Sequence, residues 1–362
     1  MSHLSHQIQF FLGTNSPEGF VSLYHQWANQ EQTLAFYVLK GGPGCGKSTL
    51  MRQTAKQLEA AGVLVEYILC SGDPDSLDGI AVPQKRAALM DGTAPHRIDP
   101  AYPGVTGHYV DLSTGYDRAG LFAQRDSILA AAQAYRACYP KAYDCFAEGE
   151  RIRQHSHSIF HTQNARRRAE QKAMEILDQE IPHHGTQSGK RSQRFLGALT
   201  YQGKILLEET AAALCSRIFA IKDSCGLSSI LLQHLEQGFL SRGCDVLSCP
   251  SPEQPGKLEH ILIPSLSLAL ITNPSHGSAS VCTTVETKDF AESSVWQENE
   301  SLLNAAHHMA EREYQKGIRF LKDAKEKHDA LEAMYYPFMD FSQNQARAEQ
   351  IASEILALPD LN

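Results

Sequence analysis

The chain reads twice. Phe11-Leu12-Gly13 recurs as Phe195-Leu196-Gly197, and Gly19 is answered by Gly203. The correspondence continues in order: Lys40 with Lys222, Cys45-Gly46 with Cys225-Gly226, Gly62 with Gly243, Pro83 with Pro264, Leu89 with Leu270. Near the ends of the halves, Ala169-Glu170-Gln171 through Ile176-Leu177 faces Ala348-Glu349-Gln350 through Ile355-Leu356. Shared order over this length marks a tandem duplication, so the second half should fold like the first.

Within the first half, Leu34-Ala35-Phe36-Tyr37-Val38-Leu39 is a short apolar run suited to a buried parallel strand. Leu50, Thr54 and Leu58, with Met51 and Ala55 beside them, keep helical spacing until Gly62 stops the helix. A strand over 63–69, an apolar segment at 86–90 and a weaker strand near 109–112 follow. This alternation predicts a parallel sheet with helices on both faces. Residues 121–139 and 141–181 are rich in Ala, Gln, Glu and Arg, punctuated by Pro140 and Pro182, and 298–358 repeat the pattern around Pro337. They predict a helical hairpin or small bundle docked on each core. The expected organisation is one repeat over 1–182, a polar, Gly-containing linker over 183–193, and a second repeat over 194–362.

Between the first strand and its helix lies Gly41-Gly42-Pro43-Gly44-Cys45-Gly46-Lys47-Ser48-Thr49, a match to G-x-x-x-x-G-K-[ST]. Glycines let the backbone curl so that successive N–H groups converge on phosphate oxygens. The helix N-terminus behind them favours anions. Lys47 supplies a point charge for the γ-phosphate, and the Ser48 hydroxyl a ligand for Mg²⁺. Ala87-Ala88-Leu89-Met90 runs into Asp91, a Walker B-like pattern that places a carboxylate near the same metal. The expected fold class is therefore α/β, with tandem P-loop NTPase cores, and the expected ligands are ATP and Mg²⁺.

The second copy departs at the chemistry. Its loop is Lys222-Asp223-Ser224-Cys225-Gly226-Leu227-Ser228-Ser229, two residues shorter, with Leu227 at the position of Lys47. Leucine cannot neutralise phosphate, and Asp223 would repel it. Leu268-Ala269-Leu270-Ile271 ends in Thr272 where the first half has Asp91. One live site and one retained scaffold is the expectation.

Other candidates are weaker. In Cys70-Ser71-Gly72-Asp73-Pro74-Asp75, Asp73 is placed to act as a base or to hold Mg²⁺ through water, although Gly-Asp and Asp-Pro are also ordinary turn pairs. Gly92 follows Asp91, so the water-orienting Glu of many ATPases is absent. Thr93 and His96 are near that position, and Arg86, Arg97 and Arg118 are candidate charge stabilisers, each read more readily as a surface residue. His157 and His161 have metal-binding i, i+4 spacing with His155 alongside, but without a Glu-x-x-His arrangement the reading is a solvated helix face. Arg166-Arg167-Arg168 reads the same way.

A net charge of −8 over 362 residues argues against a general nucleic-acid or anionic-membrane binder. No stretch reaches a membrane span, and Met1–His6 has no signal-peptide pattern. Nine cysteines without C-x-x-C pairs fit reduced thiols. The expected compartment is cytoplasmic, and a protein partner or oligomer stays open.

The chain resembles uncharacterised bacterial tandem P-loop ATPase-like proteins of about this length. The resemblance rests on the Phe-Leu-Gly…Gly stretch, Leu39-Lys40 with Gly41 through Thr49, Cys70 through Gly79, Asp91-Gly92-Thr93-Ala94-Pro95-His96 and Met339-Asp340-Phe341. It implies ATP binding and hydrolysis at Gly41–Thr49 and Asp91, with Lys47, Asp91 and Asp73 as the catalytic candidates. Family members carry a P-loop in both halves, and this chain departs from them at Asp223 and Leu227. Three functions compete: an ATPase whose hydrolysis moves the helical hairpins against a partner or whose second half regulates the first, a small-molecule phosphotransferase with the Asp73 loop as acceptor site, and a nucleotide-binding switch or scaffold. The absence of an N-K-x-D-like motif tilts the base towards adenine.

Overall fold

The computed structural model describes residues 7–28, 32–95, 98–181, 187–275 and 281–360. The expectations placed on Met1–His6, on His96 and Arg97, and on residues 182–186 lie outside the described residues.

The first half opens with β1 (Ile8–Phe11), the hairpin β2 (Gly13–Ser16) and β3 (Gly19–Ser22), and a short α1 (His25–Ala28). Its core follows: β4 (Ala35–Lys40), α2 (Lys47–Ala60), β5 (Glu66–Leu69), β6 (Leu77–Val82), β7 (Ala87–Asp91) and β8 (Gly107–Asp111). Helices α3 (Arg118–Ala123), α4 (Arg125–Arg136), α5 (Cys138–Ser158) and α6 (Gln163–Glu180) complete it. The second half repeats the order with β9 (Arg191–Gln193), β10 (Gly197–Thr200), β11 (Gly203–Leu206), α7 (Glu208–Leu214), β12 (Arg217–Lys222) and α8 (Ser228–Ser241). Then come β13 (Val246–Pro250), β14 (Leu258–Ile263), β15 (Leu268–Thr272), β16 (Val281–Glu286), α9 (Ser293–Tyr335) and α10 (Asn344–Leu356).

The result is a mixed α/β fold with three sheets. One six-stranded sheet runs β1-β5-β6-β7-β4-β8 and the other, by the same route, β9-β13-β14-β15-β12-β16. Neither is purely parallel, because β6 and β14 run antiparallel to both neighbours. Sequence patterning does not reveal β6: Leu77-Asp78-Gly79-Ile80-Ala81-Val82 has the apolar content of a buried strand, but Asp78 and Gly79 make its start look like part of the acidic turn it adjoins. In each sheet a 3₁₀ turn led by proline reverses the chain and ends in a left-handed residue, Arg86 at φ 51° and Ser267 at φ 50°.

The repeat has a physical axis. Phe11 and its counterpart Phe195 exchange both backbone hydrogen bonds, 2.9 Å each way. Beside them Leu199 of β10 pairs with Asn15 of β2, joining the two hairpins into one four-stranded sheet. The phenylalanines of the two Phe-Leu-Gly copies thus pair with each other directly.

The helices do not simply fold back on their own cores. Helix α6 lies on α8 of the second core, where Arg242 donates to the carbonyls of Leu177 and Ile181 at its end. Helix α10 lies on α2 of the first core, and Tyr37 there donates to Glu354 at 2.7 Å. Residues 141–181 are two helices, since Thr162 caps α6 by accepting from the Ala165 N–H. Pro140 falls in the first turn of α5, where its missing N–H costs nothing. The segment 183–193 ends in strand β9. Helices α5 and α9 pack antiparallel, with Phe146 against Tyr314 and His157 against His307, and Tyr135 of α4 continues the row against His328. This pair spans from one core to the other.

Candidate functional site

The loop after β4 is fixed by its neighbours. Gly44 and Gly46 take φ +66° and +84°, the left-handed region where a side chain is strained. Lys47 opens α2 and turns its Nζ back to the carbonyls of Gly41 and Gly42 at 2.9 and 3.0 Å, with Asp91 Oδ2 3.6 Å away. Burial pushes the Lys47 pKa down. Asp91, Cys45 and Glu332 more than offset this, so it lies above the ordinary lysine value. Lys47 is thus a firmly held cation, with its side chain 14% exposed. Ser48 Oγ accepts from the Leu77 N–H at 3.0 Å, tying the loop to the start of β6.

Asp91 sits at the carboxyl end of β7, the strand beside β4, which is how residues so far apart in sequence meet. Its Oδ1 accepts from Thr93 N and Oγ1 at 2.8 and 2.7 Å, leaving Oδ2 towards Lys47. Gly92 has a steric reason: a Cβ there would lie 2.3 Å from Val38 Cγ1. Asp73 is a turn residue, its carbonyl accepting from Ser76 N, and it also receives the Ser76 hydroxyl at 3.1 Å. Lys325 Nζ stands 3.5 Å from its Oδ2. The structure therefore brings Lys47, Ser48 and Asp91 together at one loop, while Asp73 lies in the turn before Leu77, whose N–H Ser48 accepts. Arg86 is at the opposite end of β7, away from it. Arg118 begins α3, with Asp117 as N-cap.

The roof of this site comes from the other half. Glu332 Oε1 accepts from the Gly44 N–H at 3.1 Å. Tyr335 packs over Gly42, where a Cβ would be 3.6 Å from its ring. Asn344 donates to the Cys45 carbonyl at 3.4 Å. Lys325 and Glu332 share a face of α9 at i, i+7. Sequence reading missed them all, because side chains on mostly polar helices carry no local signal of what the helix faces.

The second loop is also occupied, from within. Asp223 Oδ1 accepts from the N–H groups of Cys225, Gly226 and Leu227 at 3.2, 2.9 and 3.2 Å, and Oδ2 from Ser228 N at 3.1 Å. Thr287 donates to Oδ1 at 2.8 Å. Burial raises the Asp223 pKa, but the bonds from Ser228 and Thr287 win, and its carboxyl lies below the usual range. Leu227 is fully buried in the core, which contributes roughly 2 kcal/mol. Thr272, at the position of Asp91, donates to the Glu259 carbonyl at 2.6 Å.

The expected solvated face at His157 is not what forms. His157 Nε2 lies 3.0 Å from His307 Nε2 on α9. The partner is in the other half, so helical spacing gave no sign of it.

The sequence model of the family described as Nephrocystin 3, N-terminal, matches residues 21–81. That stretch holds β4, the glycine-rich loop, α2 and β5, a local likeness over a minority of the chain. No curated protein and no solved structure matches the chain. Among the described residues no helix is long and apolar enough to cross a membrane.

Proposed function

We propose that the chain binds a nucleoside triphosphate with Mg²⁺, ATP in the simplest case, at Gly41–Thr49, and hydrolyses it there. The second loop is then a structural relic, and the halves are tandem P-loop NTPase repeats. One observation carries the reading: Lys47 and Asp91 converge at a loop whose Gly44 amide already holds a carboxylate, an anion standing where a phosphate oxygen would. Ser48 and Asp91 are the groups to hold Mg²⁺, since the Ser48 hydroxyl accepts one hydrogen bond and keeps a second lone pair. Bound there, the metal would neutralise charge on the β- and γ-phosphates. Lys47 orients the phosphates, and Asp73, already paired with Lys325, is the candidate to orient water.

A second reading, a nucleotide-binding switch with negligible turnover, is favoured by Gly92, which leaves no room for a carboxylate beside Asp91. ATP turnover by the purified protein with Mg²⁺, beside Lys47→Ala, separates the two. Lys47-dependent phosphate release supports the ATPase. Binding without release supports the switch, and no binding removes both.

A further inference from the structure

The two oxygens of the Asp91 carboxylate are held differently. Oδ1 accepts twice from one residue, from the Thr93 N–H at 2.8 Å and from its hydroxyl at 2.7 Å, while Oδ2 lies 3.6 Å from Lys47 Nζ. The terminal torsion of an aspartate is broad and two-fold, so an unclamped carboxylate can present either oxygen. Two donors from one residue select which one is presented. Asp91 is buried, and the residue after it offers no donor side chain, since a Cβ on Gly92 would lie 2.3 Å from Val38 Cγ1. The clamp comes from the next residue along.

The second half lacks this arrangement. The two backbones keep step for one residue past the strand: the Gly92 N–H donates to the Leu39 carbonyl at 3.0 Å, and the Asn273 N–H to the Ile221 carbonyl at 2.8 Å. One position further, Thr93 is matched by Pro274, which has neither an N–H nor a hydroxyl. The carboxylate and both of its donors are therefore absent together. Thr272 stands in place of Asp91, and its hydroxyl donates to the Glu259 carbonyl at 2.6 Å. The chain leaves β15 by another route, with Asn273 at φ 47° and its side-chain amide bonded to the Asp223 backbone at 2.8 and 3.1 Å.

We propose, resting on the reading of Gly41–Thr49 as a triphosphate site, that Thr93 is a positioning residue for its metal side. It holds Asp91 by Oδ1 and leaves Oδ2 for the Mg²⁺ of a bound nucleotide. Ser48 is preset in the same manner, its Oγ accepting the Leu77 N–H at 3.0 Å. Both groups that would hold the metal are thus oriented from outside the phosphate loop, one from the start of β6 and one from the turn after β7. Partners one bond behind a metal ligand fix its orientation, and losing one costs roughly 10- to 100-fold in metal affinity. Lys47 keeps the Gly41 and Gly42 carbonyls independently of Thr93, so loss of the clamp acts on the metal rather than on the phosphate cation.

The test separates metal from nucleotide. A fluorescent ATP analogue is titrated into the full-length protein in EDTA, and again over a series of Mg²⁺ concentrations. Thr93→Val removes the hydroxyl while keeping the N–H and the shape. It should raise the Mg²⁺ concentration for half-maximal enhancement of binding about tenfold, with metal-free binding and melting temperature unchanged. Thr93→Ser should restore the parent midpoint. If circular dichroism shows that Thr93→Val has lost its fold, Thr93→Ala carries the test. An unchanged Mg²⁺ midpoint, a serine variant no better than the valine, or parent binding indifferent to Mg²⁺ would overturn the positioning role. Equal weakening with and without metal would put the hydroxyl on the nucleotide itself and overturn it as well. A parent protein that binds no nucleotide under either condition removes the triphosphate reading, and the role of Thr93 with it.

Discussion

The two loops answer the same demand in different ways. Both present backbone N–H groups at the start of a helix, and both receive a carboxylate. In the second loop the carboxylate is Asp223, part of the loop itself, accepting four N–H groups and the Thr287 hydroxyl. In the first it is Glu332, on a helix nearly three hundred residues away, accepting one. A carboxylate built into the loop cannot leave. The one brought by another helix is held to the loop by a single N–H. The difference lies at matched positions: the carboxylate is part of the second loop, a buried Leu227 stands where the first half has Lys47, and Thr272 stands where it has Asp91.

That comparison can be broken or sharpened by substitution. The largest effect is expected from Asp223→Ala, which strands four N–H groups. It should cost roughly 3 kcal/mol of stability by chemical denaturation, while Lys47-dependent turnover in the folded protein is unchanged. Loss of turnover instead would make the second loop part of the active site. Next, Lys47→Ala should weaken triphosphate binding by on the order of 100-fold, measured by calorimetry, with little change in stability.

Acid should distinguish the halves. His260 is buried, accepts the Thr272 N–H at its Nδ1, and is pushed down to about 4, mainly by burial. Its folded pKa lies below the unfolded value near ~6.5, so the unfolded chain binds more protons between the two. The contribution is complete above pH ~6.5 and lost as pH falls towards about 4. Denaturation at pH 5 should show a loss of roughly 2 kcal/mol relative to pH 7, and His260→Gln should flatten the slope. The smallest effect runs upward: Glu332→Gln removes the competing anion and should tighten triphosphate binding by about tenfold, or ~1.4 kcal/mol. Weaker binding in this variant would mean that Glu332 supports the ligand.

Much of the first site was legible because its parts are local. Glycines at 41–46, Lys47 and Ser48 are contiguous, and Asp91 ends an apolar run whose strand neighbours β4. The duplication was legible because it repeats in order, Phe11 to Phe195 included. What sequence did not give was whatever depends on one half meeting the other. The crossing of α6 and α10, the Glu332 roof and the His157–His307 contact are set by packing across the pseudo-twofold arrangement, and polar helix faces look alike whether they face solvent or a loop. Strand β6 was missed for a different reason, since Asp78 and Gly79 interrupt its apolar pattern beside an acidic turn.

Calorimetric titration of the intact protein with a slowly hydrolysed ATP analogue and Mg²⁺ tests the division between the loops most directly. One equivalent is expected, abolished by Lys47→Ala and unaffected by Leu227→Lys, because Asp223 still fills the second loop. Two equivalents in the parent protein, or one that survives Lys47→Ala, would contradict it.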